Sequence, residues 1–459
     1  MIKKEVFDRV FNPRAVALFG VASEDTTKFS YYPLRSMLES DYQGNLYIVN
    51  PRASEVAGFR AYPSLQDIPD EVDLAIITLP NSMVADILAD CADKGVKGAV
   101  IITAGFKESE DDSGGKLQEK IASIANEAGM IIIGPNSYGM VHLHENLNAS
   151  FTTYMSTLKK GSISLLTQSG GITHFLAPWV FEQANVGFSR ILGLGNRANV
   201  DFADMIEYLL EDPTTSVIGM YMEGIDNPRP LLEVSKHAVG VKPVVAFKAG
   251  QVEISCNAAM SHTGSLAGRH ELYQAAFTQA GIISVESLTE LLDVTKALAL
   301  QPSPKGNRIA IASPVAGPAL VGTDICEKAG LCVTRFTPET QSKLNELIPP
   351  IVARTNPVDW ANTAEITELI LKDENVDMLL LSYSYTNALI FPSEGIVEAA
   401  KACGKPVVIS VRAPEGAWEK EIAELANAGI PIYPMPDRAA RAAVALSKYG
   451  DILRVFRRT

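Results

Sequence analysis

The chain has few cysteines and no long apolar run. It contains five cysteines in 459 residues, and neither their odd number nor their spacing indicates a disulfide framework or a metal site. No apolar segment reaches the roughly 18 residues that a membrane-spanning helix needs. Met1–Glu5 carries charge but leads into no apolar core of the kind found in secretory signals. These absences predict a cytoplasmic protein in a reducing compartment, without a membrane span.

Positive charge is also in short supply. The 40 Lys and Arg residues are outnumbered by 53 Asp and Glu residues, so the formal net charge is −13 at pH 7. This balance argues against non-specific binding to nucleic acid. It does not exclude ligands that carry phosphates, because a helix N-terminus or a local Lys or Arg can hold them. We therefore expect small-molecule ligands and no nucleic acid.

Strands and helices alternate along the first part of the chain. Apolar runs that predict strands end in small or turn-forming residues, and helical segments such as Met83–Lys94 and Gly115–Ala128 separate them. The predicted strands are Ala15–Phe19, Asn45–Val49, Leu74–Thr78, Gly98–Thr103 and Met130–Ile133. This alternation is typical of a doubly wound parallel sheet in an α/β domain.

The loop after the first predicted strand lacks the glycine pattern of a dinucleotide site. Gly20 is the one glycine in residues 20–30, where the fingerprint requires three. An NAD site is therefore a weak interpretation. The loop can still place a phosphate at the N-terminus of the next helix, with Lys28 close to it.

A second domain is predicted to begin near Gly161. The strand Ser162–Leu166 leads through the turn Thr167–Gly171 into a helix. A Ser-Gly-Gly turn that opens a helix presents backbone N–H groups at the positive end of the helix dipole, which makes a seat for an anion. The alternative is a plain turn that uses glycine for its geometry.

One histidine, His262, stands among small and hydroxyl-bearing residues in the segment Met260–Gly268. The segment follows the predicted strand Pro243–Phe247, so His262 lies where ligands collect in open α/β sheets. Glu223 follows another predicted strand, Val217–Met222. A carboxylate that accepts a hydrogen bond from one ring nitrogen leaves the other nitrogen as a nucleophile. The alternative is a loop histidine that hydrogen-bonds to the backbone.

The third part of the chain is an imperfect repeat of the second. Residues 161–171 are echoed by residues 306–317, with later motifs in the same order. We therefore expect the two parts to share one α/β fold. Ser382–Ser384 stands where Glu223 stands in the first copy, and no second copy of the His262 segment follows. The active group is predicted to belong to the first copy only.

The domain boundaries follow from chain length, from the repeat and from a proline-containing linker, Gln301–Lys305. A chain of 459 residues accommodates three domains of roughly 150 residues each. The predicted domains are residues 1–150, 151–300 and 301–459.

Short motifs in a fixed order run through nearly the whole chain. The most specific is Ser261–Gly268. The others are Asn50–Arg52, Tyr62–Leu65, Ile101–Glu108, Gly134–Asn136, Thr167–Gly170, Glu223–Ile225 and Asn356–Asp359. This set resembles the alpha subunits of the nucleoside-diphosphate-forming acyl-CoA synthetases, the ADP-forming acetyl-CoA synthetase group, and more distantly the alpha subunit of succinyl-CoA synthetase. The resemblance implies an N-terminal Rossmann-like CoA-binding domain followed by two flavodoxin-like doubly wound domains.

The resemblance also implies a reaction and a site. Enzymes of this family interconvert a carboxylic acid, CoA and ATP with acyl-CoA, ADP and phosphate. His262 would carry the phosphoryl group, and Glu223 would hydrogen-bond that histidine. The phosphoryl oxygens would be held by Gln168, Ser169, Gly170 and Gly171. CoA would be contacted by Gly20, Ser23, Lys28, Pro51, Arg52 and Asn136.

The family divides its work between this alpha part and an ATP-grasp part. Nothing after residue 300 resembles an ATP-grasp domain. The resemblance therefore implies a separate beta subunit that binds ATP or ADP with Mg²⁺, and an α2β2 assembly. No metal site is expected within this chain.

Two other functions stay open on the sequence alone. One is a non-catalytic, CoA-binding regulatory protein, although Glu223 and His262 are both present. The other is a member of the same superfamily that couples acyl-CoA formation to lyase or transfer chemistry. The sequence leaves the acid, the nucleotide base and the favoured direction undetermined.

Overall fold

The structure, a computed structural model, describes residues 3–22, 27–109, 112–181, 186–256, 269–360 and 363–456, with the backbone alone for 177–181. The described chain forms two compact units, one made of residues 1–181 and 187–284 and the other of residues 285–459. A bilayer crossing would need a longer and more apolar helix than any in the described ranges.

The first sheet belongs to the start of the chain. Its strands are β1 (Ala15–Phe19), β2 (Asn45–Val49), β3 (Glu55–Val56), β4 (Phe59–Tyr62), β5 (Leu74–Ile77), β6 (Gly98–Ile101) and β7 (Ile131–Ile133). The accompanying helices are α1 (Lys4–Phe11), α2 (Tyr32–Glu39), α3 (Asn81–Lys94) and α4 (Asp112–Ala128). The strand order is β3-β4-β2-β1-β5-β6-β7, and β1 pairs in parallel with β2 and β5. Every residue of β1, β5 and β6 is buried, which is why small and branched apolar residues fill these central strands.

The second sheet follows in the same unit. Its strands are β8 (Gly139–His142), β9 (Leu147–Ser150), β10 (Lys160–Thr167), β11 (Phe188–Gly193), β12 (Val217–Met222), β13 (Val244–Lys248) and β14 (Ile283–Val285). Its helices are α5 (Gly170–Phe181), α6 (Phe202–Glu211), α7 (Pro228–Ala238) and α8 (His270–Ala280). The order is β14-β13-β12-β10-β11-β8-β9, and β10 pairs in parallel with β11 on one side and β12 on the other. The turn from β10 into α5 therefore lies where the strand order reverses, a position at which open α/β sheets bind ligands.

The hairpin β8–β9 extends the second sheet, because β8 pairs antiparallel with β11. The sequence pattern does not predict this hairpin, since its strands are short and β9 buries polar side chains. Asn148 and Ser150 are fully buried. They are satisfied locally: Ser150 Oγ donates to Asn148 Oδ1 at 2.6 Å, and Asn148 Nδ2 donates to the Thr152 carbonyl at 3.0 Å.

The described part of the second unit forms a five-stranded sheet. It begins with α9 (Leu288–Leu300) and continues with β15 (Arg308–Ala312), α10 (Ala316–Lys328), β16 (Cys332–Val333), α11 (Pro338–Leu347), α12 (Ala364–Lys372), β17 (Met378–Ser384), α13 (Ser393–Cys403), β18 (Val407–Arg412), α14 (Glu419–Asn427), β19 (Ile432–Tyr433) and α15 (Pro436–Phe456). The order is β16-β15-β17-β18-β19, and all four neighbouring pairs are parallel. This is the flavodoxin-like order.

The predicted α/β fold class is confirmed. The bounds of β1, β2 and β12 match the predicted strands, and the other predicted strands differ by a few residues at their ends. The domain boundaries at residues 150 and 300 stay a prediction.

A buried ion pair connects β11 to the end of α6. The Arg190 guanidinium donates to the Asp212 carboxylate, and the two side chains are 3% and 4% exposed. Burial alone would raise the pKa of Asp212, but the hydrogen bond from Thr215 and the charge of Arg190 lower it below its ordinary value. Arg190 also lies over the rings of Phe11 and Tyr208. Removing one member of such a pair leaves the other charge buried without compensation.

We expect Asp212→Ala to lower the free energy of unfolding by about 3–5 kcal/mol, because Arg190 would lose its counter-ion in a buried site. Urea denaturation followed by circular dichroism measures this. The neighbouring Glu211→Ala is the matched control, since Glu211 pairs with Lys4 in solvent and its loss should leave the midpoint unchanged. Equal effects of the two substitutions would contradict the assignment.

Candidate functional site

A cavity of about 610 Å³ lies between the carboxyl ends of β5, β6 and β7 and the N-terminus of α5. The described residues that line it are Phe29, Thr78, Leu79, Pro80, Ile102, Thr103, Ala104, Asn136, Ser137, Phe151, Gln168, Gly170, Gly171 and Asn196. The lining thus combines strand exits of the first sheet with the switch point of the second. A volume of this size is typical of small-molecule sites.

Two threonines fix the strand exits that form one wall. Thr78 Oγ1 donates to the Phe19 carbonyl at 2.9 Å, which ties the exit of β5 to that of β1. Thr103 Oγ1 donates to the Leu79 carbonyl at 2.7 Å, which ties the exit of β6 to that of β5. These bonds hold the loops of three strands together at the cavity.

The turn after β11, which supplies Asn196 to the cavity lining, is held against the loop that follows β7. The N–H of Asn196 donates to the Pro135 carbonyl at 2.9 Å, and the N–H of Ala198 donates to the Gly134 carbonyl at 2.9 Å. Gly195 sits so close that a Cβ there would stand 2.3 Å from the Pro135 oxygen. Only glycine allows this approach of the two backbones.

The side chain of Asn196 also reaches the loop after β6. Its Nδ2 donates to the Glu108 carboxylate and, at 3.1 Å, to Gln118 Oε1. Glu108 in turn accepts the N–H groups of Gly105 at 2.6 Å and Phe106 at 3.2 Å. The loop after β6 and the turn after β11 are therefore joined by a charged group that is fully engaged in hydrogen bonds.

The N-terminus of α5 faces the cavity through two glycines. Ser169 caps the helix, because its Oγ accepts the N–H of Ile172 at 3.4 Å. Gly170 and Gly171 form the first turn and line the cavity. The first N–H groups of a helix have no acceptor within the helix and lie at the positive end of its dipole. The geometry suits an anion such as a phosphoryl group.

Glu223 is fixed beside this helix start by Gln168. The Gln168 Oε1 accepts the N–H of Glu223 at 2.7 Å and the N–H of Gly224 at 3.1 Å. The Tyr221 hydroxyl donates to Glu223 Oε1 at 3.2 Å. Burial and the Glu223 charge raise the pKa of that hydroxyl well above its ordinary value, so it stays protonated and donating. Glu223 is therefore a buried carboxylate with a fixed orientation.

A buried lysine ends the next strand of the same sheet. Lys248 is fully buried, donates to the Ala249 carbonyl and lies 4.8 Å from the centre of the Tyr273 ring. Burial lowers its pKa, while the charge of Glu223 acts in the opposite direction. Tyr273 accepts the N–H of Ile225 at 3.2 Å, next to the Glu223 loop. The buried Glu223 carboxylate and the buried Lys248 side chain thus lie at the carboxyl ends of neighbouring strands.

The predicted site residues fall into four groups. Asn136, Gln168, Gly170 and Gly171 line the cavity, and Ser169 lies within the same turn. Glu223 is joined to Gln168. Ser23 and His262 lie outside the described residues.

The other predicted CoA contacts lie at the carboxyl edge of the first sheet but outside the described lining. Gly20 directly follows β1 and approaches Thr78 and Leu79, which do line the cavity. Lys28 and the pair Pro51 and Arg52, which follow β2, are exposed.

Several lining residues were not singled out from the sequence. They are Phe29, Thr78, Thr103, Phe151 and Asn196. Thr78 and Thr103 are the last residues of predicted strands, so their positions at strand ends are a usable signal. Phe29, Phe151 and Asn196 reach the cavity through contacts between distant segments, which no local pattern reveals.

Within the described ranges, no group of three or more His, Cys, Asp and Glu side chains has an arrangement that could hold a metal ion.

Two family models match the chain between residues 14 and 298. The model of a CoA binding domain matches residues 14–143, and that of a succinyl-CoA ligase like flavodoxin domain matches residues 160–298. These segments supply the two walls of the cavity.

Relatives that match the whole chain are also CoA ligases. The alpha subunit of ADP-forming acetate–CoA ligase II of Pyrococcus furiosus is 41% identical over 455 residues, covering 96% of this chain and 97% of that subunit. The ADP-forming acetate–CoA ligase I of Archaeoglobus fulgidus is 37% identical over 451 residues, covering 97% of this chain but 64% of that longer protein. Among solved structures, the dinucleotide forming acetyl-coenzyme A synthetase 1 of Candidatus Korarchaeum cryptofilum, in complex with phosphate and ADP, matches 98% of each chain with a TM-score of 0.89 and 33% identity. The chain therefore belongs to the family of ADP-forming acyl-CoA synthetases, which are CoA ligases, and corresponds to their alpha subunit.

Proposed function

We propose that the chain is the alpha subunit of an enzyme that interconverts a carboxylic acid, CoA and ATP with acyl-CoA, ADP and phosphate. The observation that carries the proposal is the cavity in which the strand exits of a CoA-binding fold meet the N-terminus of α5. A thioester carbonyl and a phosphoryl group must come together in this chemistry. The strand exits of the first sheet form the wall for the thioester, and the N-terminus of α5 forms the wall for the phosphoryl group.

CoA is proposed to bind along the carboxyl edge of the first sheet, with its thiol end in the cavity. Gly20, Ser23, Lys28, Pro51 and Arg52 belong to the loops after β1 and β2, and Asn136 lines the cavity. The exposed Lys28 and Arg52 suit the nucleotide phosphates of CoA, because solvent-facing cations pair with phosphates at little desolvation cost.

His262 is proposed to carry the phosphoryl group. A histidine with an ordinary pKa of about 6.5 is largely neutral at cellular pH, so one ring nitrogen can attack phosphorus. Glu223 would accept the N–H of the other nitrogen and stabilise the positive charge that develops on the ring as the P–N bond forms. The fixed orientation of Glu223 by Gln168 and Tyr221 supports this role.

In the synthetic direction, His262 takes the γ-phosphoryl group and ADP leaves. A carboxylate oxygen of the acid then attacks the phosphorus, the P–N bond breaks and an acyl phosphate forms. The CoA thiolate attacks the acyl carbonyl, and phosphate leaves with the electrons of the C–O bond. The N–H groups of Gly170 and Gly171, with Gln168 and Ser169, are proposed to hold the phosphoryl oxygens throughout.

An ATP-grasp beta subunit is proposed to bind the nucleotide with Mg²⁺, in a cytoplasmic α2β2 complex. The name of the Pyrococcus relative as a subunit alpha supports a partner, and so does the greater length of the Archaeoglobus relative. The second unit repeats the fold of the second sheet, but Ser382 and Ser384 stand at the end of β17. A serine lacks the negative charge that the proposed phosphohistidine requires.

Lys28→Ala and Arg52→Ala should each weaken CoA binding by about 1.5–3 kcal/mol, the range for a hydrogen bond to a charged group. Isothermal titration calorimetry on the full chain measures this. Lys97→Ala is the matched control, because Lys97 is exposed at the amino end of β6, away from the carboxyl edge. CoA affinity that is unchanged in both test variants would remove this site assignment.

Glu223→Gln should slow acyl-CoA synthesis by the complex with the ATP-grasp partner on the order of 10²-fold, because the amide keeps a hydrogen bond but loses the charge. Tyr221→Phe is the graded control: it removes one donor but keeps the carboxylate, so its loss should stay within about tenfold. The isolated chain should show no ATP turnover. Full activity of Glu223→Gln, or turnover by the chain alone, would argue against the proposed roles.

A further inference from the structure

The peptide group that follows Gly224 is held at both of its polar ends. Its carbonyl accepts a hydrogen bond from Nη1 of Arg197 at 3.0 Å, and its N–H, which belongs to Ile225, donates to the Tyr273 hydroxyl at 3.2 Å. Because a peptide group is planar and rigid, bonds at its two opposite edges prevent it from rotating. Glu223, which is buried, stands directly before this segment. Arg197 therefore restrains the backbone that sets the direction of the Glu223 carboxylate.

Arg197 belongs to the turn after β11 and directly follows Asn196, which lines the cavity. Its side chain is 3% exposed and lies over the Phe202 ring. Its backbone has a φ of 60°, a left-handed conformation that few residues other than glycine adopt. Residues held in this conformation are found most often at functional sites. The turn contacts the cavity through one residue and the Glu223 loop through the next.

Asp201 holds the Arg197 side chain in place. Its Oδ1 accepts a hydrogen bond from Nη1 of Arg197 at 3.2 Å, so one nitrogen donates both to this carboxylate and to the Gly224 carbonyl. Asp201 is also the N-cap of α6, which fixes its own position. Because a hydrogen bond between two charged groups is stronger than one between neutral groups, the carboxylate keeps the guanidinium against the Glu223 loop.

We propose that Arg197 is a positioning residue for phosphoryl transfer, which acts by holding the Glu223 carboxylate in the direction that the phosphorylated histidine requires. This inference rests on the proposed function. A carboxylate that turns away with its loop no longer accepts the ring N–H and no longer offsets the positive charge that develops on the ring. The loss of Arg197 should therefore lower the rate of phosphoryl transfer and not the binding of nucleotide or CoA.

The test measures labelling of His262 by [γ-³²P]ATP in a single turnover of the complex with the ATP-grasp partner. Arg197→Met should slow labelling at saturating ATP about tenfold, the effect of losing one hydrogen bond from a charged donor. The ATP concentration that gives the half-maximal rate and the CoA affinity should both stay unchanged. Arg197→Lys should label within about threefold of the wild-type rate, because one ammonium nitrogen can donate to both Asp201 and the Gly224 carbonyl.

Arg454→Met is the matched control. Arg454 also donates to an aspartate, Asp451, and to a backbone carbonyl, that of Lys305, but it lies near the end of α15 in the second unit. This variant should label at the wild-type rate. Unchanged labelling by Arg197→Met would overturn the inference.

A double variant separates positioning from a general structural effect. In the Glu223→Gln background, Arg197→Met should change the labelling rate by less than about twofold, because the residue that Arg197 positions has already lost its charge. Independent effects multiply instead. A further tenfold loss in the double variant would assign Arg197 a role that does not pass through Glu223, and would overturn the inference.

Asp201→Asn decides the case in which Arg197→Met does not fold. Asparagine caps a helix as well as aspartate does, so this variant should fold. The weaker hold on Arg197 should slow labelling about threefold, since the bond loses one of its two charges. In that case, labelling at the wild-type rate would overturn the inference. Absence of label from His262 in the wild-type complex, or full labelling by Glu223→Gln, would instead contradict the proposed function, and the inference with it.

Discussion

The site depends on one close contact, the packing of Gly195 and Asn196 against Gly134 and Pro135. The absence of a Cβ at Gly195 lets the turn after β11 reach the Pro135 carbonyl, and Asn196 joins it to Glu108 after β6. Because β11 neighbours β10, this contact also fixes the position of the helix that β10 leads into. The N-terminus of α5 consequently faces the strand exits of the first sheet. Neither sheet alone would form the cavity.

Under the proposed function, the groups beside this contact receive a phosphoryl group. The N–H groups of α5 would supply partial positive charge, and Glu223 would supply the negative charge that the proposed phosphohistidine requires. Gln168 serves both, since it lines the cavity and accepts the N–H of Glu223. Lys248 balances the buried carboxylate from the neighbouring strand end while its own charge is held by the Ala249 carbonyl and the Tyr273 ring.

The sequence predicts those parts of the site that follow strands directly. The sequence places Gln168, Gly170 and Asn136 after apolar runs, and parallel strands bring their exits to one edge. The roles of Gln168 and Asn136 are implied by the family resemblance. The sequence does not predict the contact of Phe29 with Phe151, because the two residues are 122 positions apart and meet only in the folded chain. The sequence does not predict the hairpin β8–β9, because β9 buries polar side chains that hydrogen-bond to one another and to the backbone. Lys248 reads as part of an exit loop, since no periodicity marks a lysine as buried.

The central claim is that this chain carries the phosphoryl group on His262 between the nucleotide and the acyl group. The most direct measurement incubates the complex with acyl-CoA and ³²P-labelled phosphate and maps the acid-labile, base-stable label by peptide sequencing. The account predicts label on the peptide that contains His262, and none in a His262→Ala complex that still binds CoA. Label on another residue, or undiminished turnover by the His262→Ala complex, would contradict it.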